Sequence, residues 1–350
     1  MIAIEAITSA LSYIALALVL GQLVVAGFLL PNGEPKELRR CSLIFARSSL
    51  FIFLCSSTVA LLIQGAKLQR GLPSAELLWR YVTAAQSGKV WLARELYAIA
   101  LTMGLWFVIR QEAGINSARF LTILALPLVA SRSLTSHAVA VREDAAIAVS
   151  ADALHLIVTA LWAGGLIALW RALRLMTGES SQPRAWTAAV VNRFSRLALV
   201  SVTLIGITGL YQGWIHVGSL TTLVNTDYGK VLLLKTLLFT LMLSFGALNF
   251  LSTRKLLARA VGASENDQPA SSRKALRRIG IESLVGLMIF GATGLLTVLP
   301  PAVHAVHQNA SAAQAPQTEL TTAKKYLPAQ GASVKILAPN NGAIVSADRT

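Results

Sequence analysis

The stretch Ser133–Trp170, SLTSHAVAVREDAAIAVSADALHLIVTALWAGGLIALW, decides how the rest of the chain is read. From about Ser150 to Trp170 it is an apolar run of the length that crosses the ~30 Å hydrocarbon core of a bilayer as an α-helix. Asp152 and His155 sit in the mouth of that run, three residues apart and so on one helical face, and His137 lies just past the preceding apolar segment. An ionisable group in a membrane helix is costly and marks a functional site by default. The run also contains Ala163-Gly164-Gly165, small residues that let membrane helices approach closely where no hydrophobic force drives them together.

The same reading extends over the chain. Its 350 residues are 55% hydrophobic and only 13% charged, with a mean hydropathy of +0.61, whereas soluble domains carry roughly 25% charged residues. Eight apolar spans can be placed at about Thr8–Leu30, Ile44–Ala66, Val90–Ile109, Phe120–Thr135, Ser150–Trp170, Phe194–Trp214, Val231–Leu251 and Ile279–Leu299. The expected fold class is all-α, a polytopic membrane helical bundle with about eight transmembrane helices. The first span lacks a basic leader and exceeds a signal h-region of ~7–15 residues, so it reads as retained. The net charge of +15 is assigned to basic loops meeting the anionic lipid bilayer, with no nucleic-acid partner. Cys41 and Cys55 form no CxxC, which leaves redox and thiolate-cluster chemistry without support. No phosphate loop, nucleophile motif or HExxH is present, so the chain does not read as an enzyme.

Orientation follows from lysine and arginine placement. Arg171, Arg174, Arg184, Arg193 and Arg196 join spans five and six, and Arg254, Lys255, Arg259, Arg273, Lys274, Arg277 and Arg278 join seven and eight. These loops are expected inside, which puts both termini outside. Lys36, Arg39 and Arg40 then fall inside as well, while Lys67, Arg70, Arg80 and Lys89 between spans two and three run against the rule.

In that topology all five histidines fall at the outer face: His137, His155, His216, His304 and His307. Arg94, Glu95, Arg132, Asp152, Gln212 and Lys235 gather at the same level, as in a polar vestibule opening outward, whereas the inner half carries chiefly Asn249 and Glu282. Imidazole is the commonest side-chain ligand of transition metals, and a carboxylate orients it or joins it. His137, His155 and His304, with Asp152, are the leading metal-ligand candidates, and softness favours copper, zinc or nickel over magnesium or calcium. His216 and His307 are further candidates, although a lone histidine at a helix end is an interfacial residue more often than a ligand. Arg94 with Glu95, and Lys235, read as structural ion pairs. The methionines form no MxxM track. Beyond Pro300-Pro301, a linker rich in Ala, Gln, Ser and Thr leads to SVKILAPNNGAIVSADRT, which reads as a strand, a turn and a strand: a short extracytoplasmic tail with β character.

Five segments together resemble the copper-resistance D family, CopD: SLTSHA (Ser133–Ala138), DALHLIVTALWAGGL (Asp152–Leu166), RFSRLALVSVTLIGITGLYQGW (Arg193–Trp214), YGKVLLLKTLLFTLMLSFGALNF (Tyr228–Phe250) and TGLLTVLPPAVH (Thr293–His304). The resemblance covers about Arg132–His304, and the first three spans carry less of it. It implies a multi-pass protein of the bacterial inner membrane with both termini periplasmic. It also implies a copper ion as cargo, taken up at the periplasmic face and moved toward the cytoplasm, and a periplasmic CopC-like copper-binding partner. The family's histidine pattern falls on His137, His155 and His304. The expected organisation is 1–130 as N-terminal membrane helices, 131–305 as the CopD-like membrane region and 306–350 as linker and partial β-like tail. Two other functions compete. A membrane b-type cytochrome or quinone-linked redox protein needs axial histidines, often at two depths, and here all lie on one side. A non-transporting docking partner of a periplasmic copper chaperone needs only the outer site.

Overall fold

The computed structural model describes residues 1–30, 36–112, 114–136, 145–178, 184–260 and 269–303, with backbone alone at 176–178, 184–188, 249–260 and 269–275. His137, His304, His307, Asn249's side chain and the tail expected to have β character lie outside the described residues. Among those described there are α-helices, short 3-10 and π turns, and no strand. The helices are α1 (Ile2–Val24), α2 (Lys36–Gln69), α3 (Ala75–Ala84), α4 (Gln86–Arg110), α5 (Ile115–Ala130), α6 (Ala145–Thr159), α7 (Gly165–Gly178), α8 (Arg184–Val217), α9 (Leu220–Asn225), α10 (Asp227–Ala260) and α11 (Pro269–Leu296). A π turn, Ala160–Gly164, joins α6 to α7 into one span, and eight helical segments are long and apolar enough to cross a membrane. The spans expected from the sequence are therefore all present. The polar connection before the third span additionally folds as α3, whose first turn is capped by Ser74 Oγ accepting from the Leu77 amide at 3.2 Å.

The bundle is built around α1. Its apolar residues run all round the helix, the pattern of a helix enclosed by others, and Leu16, Val19, Leu20, Leu23 and Val25 are almost wholly buried. Helices α2, α5, α7, α11 and the Ala160–Gly164 turn pack on it. We call the face at which α1 begins the proximal face and the opposite one the distal face. Near the proximal face the Lys67 ammonium pairs with Glu5, and Ser12 Oγ and Ser56 Oγ share a hydrogen bond of 2.8 Å between α1 and α2. At the distal end, α1 closes in a π turn, Val25–Leu29, whose terminal carbonyls lack helical donors. Arginines from three other helices supply them. Arg39 Nε donates to Ala26 O at 3.2 Å, Arg119 Nε to Gly27 O at 3.0 Å, and Arg193 Nη1 to Leu30 O at 2.9 Å. Cations at a helix C-terminus also complement its dipole.

Midway along α1 the backbones themselves touch. A Cβ added at Gly21 would stand 2.2 Å from Gly164 O, and one added at Gly164 would stand 2.0 Å from Ala17 O. The small-residue patch read in the sequence thus serves this contact, with Gly164 as its centre; Gly165 instead lies against the Phe194 ring, 3.1 Å from where its Cβ would be.

Gly164→Ala or Gly21→Ala must push α1 and the Ala160–Gly164 turn apart, an overpacking cost of about 1–3 kcal/mol. Thermal unfolding in detergent micelles is expected to show a clear fall in Tm for both. Gly206→Ala, where no atom lies within 4 Å of the new Cβ, should leave Tm unchanged or raise it slightly.

Candidate functional site

Toward the proximal face the helices leave a cavity of about 30 Å³ between α1, α5, α6, α10 and α11. Tyr13, Arg132, His155, Thr159, Lys235 and Thr293 supply its polar lining, with Leu16, Ala17, Val129, Leu156, Ala160 and Phe290 closing the rest. Three residues expected in a vestibule from the sequence, Arg132, His155 and Lys235, therefore share one chamber although they come from three separate spans. Asp152, one turn before His155 on α6, lies within electrostatic range of Lys235 and of Tyr228.

His155 is oriented by a residue the sequence reading did not single out. Its Nδ1 is 2.9 Å from Thr208 Oγ1 on α8. The Thr208 hydroxyl has one proton, and it is 2.6 Å from Leu204 O, a carbonyl that can only accept. Thr208 therefore accepts from His155, so Nδ1 carries the proton and, in the neutral ring, Nε2 keeps its lone pair. Thr208 does not line the cavity, so this bond turns the Nε2 edge away from α8. Gly209 permits α8 to lie against the ring, its would-be Cβ 3.5 Å from His155 Cε1. A hydroxyl one helix away leaves no mark in single-sequence spacing, which explains why Thr208 was missed.

Behind the cavity is a second polar layer. The Arg132 guanidinium stacks over the Tyr13 ring at 4.7 Å. Arg94 and Glu95 on α4 are each 6% exposed. They do not form the ion pair expected from the sequence. Neighbouring residues on a helix point about 100° apart, and Arg94 Nε and Nη1 and Glu95 Oε1 are buried without a hydrogen-bond partner. Glu95 is instead close to Ser57, which also receives the Trp91 indole N–H at 3.0 Å.

The remaining candidates sort differently. His216 stands in the last turn of α8 and does not line the cavity. Gln212 is also off the cavity, with Nε2 buried and unpartnered. His137, His304 and His307 lie outside the described residues. Among the described residues no three His, Cys, Asp or Glu side chains come close enough together to hold a metal ion, so one imidazole and one nearby carboxylate represent the expected ligand set there. Trp162 is buried and packs edge-on to Phe239 with centroids 5.6 Å apart.

A bundle of eight apolar spans with ionisable groups around a chamber toward one face defines a multi-pass membrane protein with a polar cavity inside its helices. Two family models match the chain: Copper resistance protein D-like, N-terminal domain, over residues 2–146, and Copper resistance protein D over residues 188–296. The chain belongs to the copper-resistance D family. The N-terminal match extends the likeness over the first three spans, beyond the Arg132–His304 region where the sequence reading located it. Among curated relatives, the chain is 32% identical over 206 residues to "Copper transport protein CutJ" of Bacillus subtilis (strain 168), covering 58% of this chain and 36% of that protein. It is 27% identical over 236 residues to "Copper resistance protein D" of Pseudomonas syringae pv. tomato, covering 67% of this chain and 74% of that protein. The chain thus spans little more than a third of the length of the Bacillus relative. No solved structure matches it.

The protonation of the ring is directly measurable. In ¹⁵N spectra of the histidine-labelled protein, His155 is expected to show a protonated Nδ1 and an unprotonated Nε2. Thr208→Val, which removes a net ~0.5–1.5 kcal/mol of hydrogen bonding, should convert this to a tautomer mixture. An unprotonated Nδ1 in the unmodified protein would contradict the assignment.

Proposed function

We propose that the protein binds copper through its proximal face, that this face is periplasmic, and that copper passes from there across the inner membrane. The observation that carries the reading is His155: an imidazole inside the bundle of a copper-resistance family member, with Nδ1 engaged by Thr208 and Nε2 left as a ligand. The names of the two relatives, a copper transport protein and a copper resistance protein, agree with it. His137 follows Ser136 at the proximal end of the fourth span, and His304 follows Val303. Val303 itself packs on Gly218, two residues after His216. In this reading His137 and His304 take copper from a periplasmic CopC-like protein and pass it to His155, with Asp152 as orienting or additional ligand.

Below the cavity the passage would follow α10 and α11. Met242 is fully buried against Gly286, its Cε 3.4 Å from where a Cβ would stand, and Glu282 is 4% exposed with Oε1 3.1 Å from the corresponding position at Gly246. A thioether suits soft Cu(I), and a buried carboxylate suits a passing cation. The distal basic loops support a cytoplasmic distal face.

Copper binding by the purified protein, followed by uptake into proteoliposomes, tests the two halves separately. His155→Ala is expected to weaken binding by at least about tenfold, and Thr208→Val by about tenfold through loss of the oriented ring. Met242→Leu/Glu282→Gln should leave binding intact and reduce uptake. Binding unchanged in His155→Ala would sink the site. Binding without uptake in the unmodified protein would favour a docking partner over a permease.

A further inference from the structure

Among the described residues, the chamber around His155 gathers more basic than acidic side chains. Arg94 and Arg132 lie close enough to repel one another, with Glu95 as the carboxylate beside both. Lys235 has Asp152 within electrostatic range. Three cations thus meet two carboxylates in an apolar bundle, and guanidinium groups stay protonated. A bare excess charge at this depth is costly.

The hydrogen-bonding inventory has the same sign. Arg132 Nε and Thr159 Oγ1 are both buried without a hydrogen-bond partner among the described residues, and both residues line the cavity together with Lys235. Arginine and lysine only donate, and the threonine hydroxyl can donate. Donor-bearing residues that line one cavity beside excess basic side chains suit an anion; water would satisfy the donors but not the charge. The volume of about 30 Å³ exceeds the about 10–15 Å³ needed for one water, so it admits a monatomic ion.

We propose that this cavity binds a small inorganic anion of the halide class, chloride in the cell, held by Arg132, Lys235 and Thr159. The anion site rests on these residues and not on the copper reading. Where that reading also holds, a copper ion on His155 Nε2 has a halide beside it as counter-charge and potential ligand.

The test uses the full chain in lipid nanodiscs, free of metal and with a chelator present. Equilibrium dialysis with radiolabelled chloride is expected to give saturable binding of one ion per chain, and thermal unfolding a rise in Tm with chloride that gluconate at equal ionic strength does not produce. Arg132→Gln and Lys235→Met should each lower chloride affinity by at least about tenfold, the loss expected for a charge-assisted hydrogen bond. Thr159→Val should lower it less, and Arg132→Lys, which keeps the charge, should retain most of it. If Arg132→Gln does not fold, Lys235→Met and Thr159→Val carry the comparison. Absence of saturable chloride binding in the unmodified protein, or undiminished binding in Arg132→Gln/Lys235→Met, overturns the inference. Copper titration in chloride-free buffer is a separate arm. Chloride binding without copper binding upholds the anion site and refutes the copper reading, and copper binding without chloride binding does the reverse.

Discussion

The architecture depends on one backbone contact, that of Gly21 and Ala17 on α1 with Gly164 in the turn between α6 and α7. Lipid tails are as apolar as leucine, so helices in a bilayer gain nothing from hiding apolar surface and must associate by packing. Close packing needs positions without side chains, and here the absent Cβ atoms lie within 2.0–2.2 Å of a carbonyl oxygen. A second approach of the same kind holds α1 nearer the proximal face, where a Cβ at Gly294 of α11 would stand 2.4 Å from Ala6 O. With the arginines on its distal carbonyls, α1 is gripped at both ends and in the middle. Each grip uses main-chain atoms, so α1 can be apolar on every side and still be specifically placed.

That contact also shapes the chamber. Ala17 and Ala160 line it, and both belong to the contact region, so the touching backbones close the cavity on its distal side. The π turn begins at Ala160, directly after Thr159, and its wider pitch separates the cavity-lining part of the span from the part that packs on α1. His155 and Thr159, one turn apart on α6, face the cavity, while Ala163 and Gly164 serve the bundle interior. Packing and chemistry are thus divided along a single span.

The sequence made the helical spans legible because apolar runs of this length have few other uses, and it showed which polar groups were costly. It also put Arg132, His155 and Lys235 at one level, and they prove to share a chamber. It did not show which side chains meet. Level along a helix can be counted, but facing depends on rotation and on which helices are neighbours. That is why Arg94 and Glu95, adjacent in sequence, read as an ion pair although they make no direct salt bridge and feel each other only at longer range. It is also why Thr208 and Tyr13 went unnoticed: both lie in apolar runs, and their roles come from partners on other spans. The first three spans carry less of the family resemblance, yet the first is central to the bundle, since an all-round apolar helix looks the same from sequence whether it faces lipid or protein.

The basic residues divide by use in a way that bears on the proposed orientation. Lys67 and Arg80, which ran against the charge rule at the proximal face, pair with Glu5 and with Glu76 at 2.7 Å, and Lys230 lies 3.7 Å from Asp227. Such surface pairs add little stability, but they reduce the net positive charge presented at that face. Arg39, Arg119 and Arg193 at the distal face bond main-chain carbonyls and complement the negative end of the α1 dipole. These arginines also finish the central helix, so basic side chains next to the loops help to hold the core together.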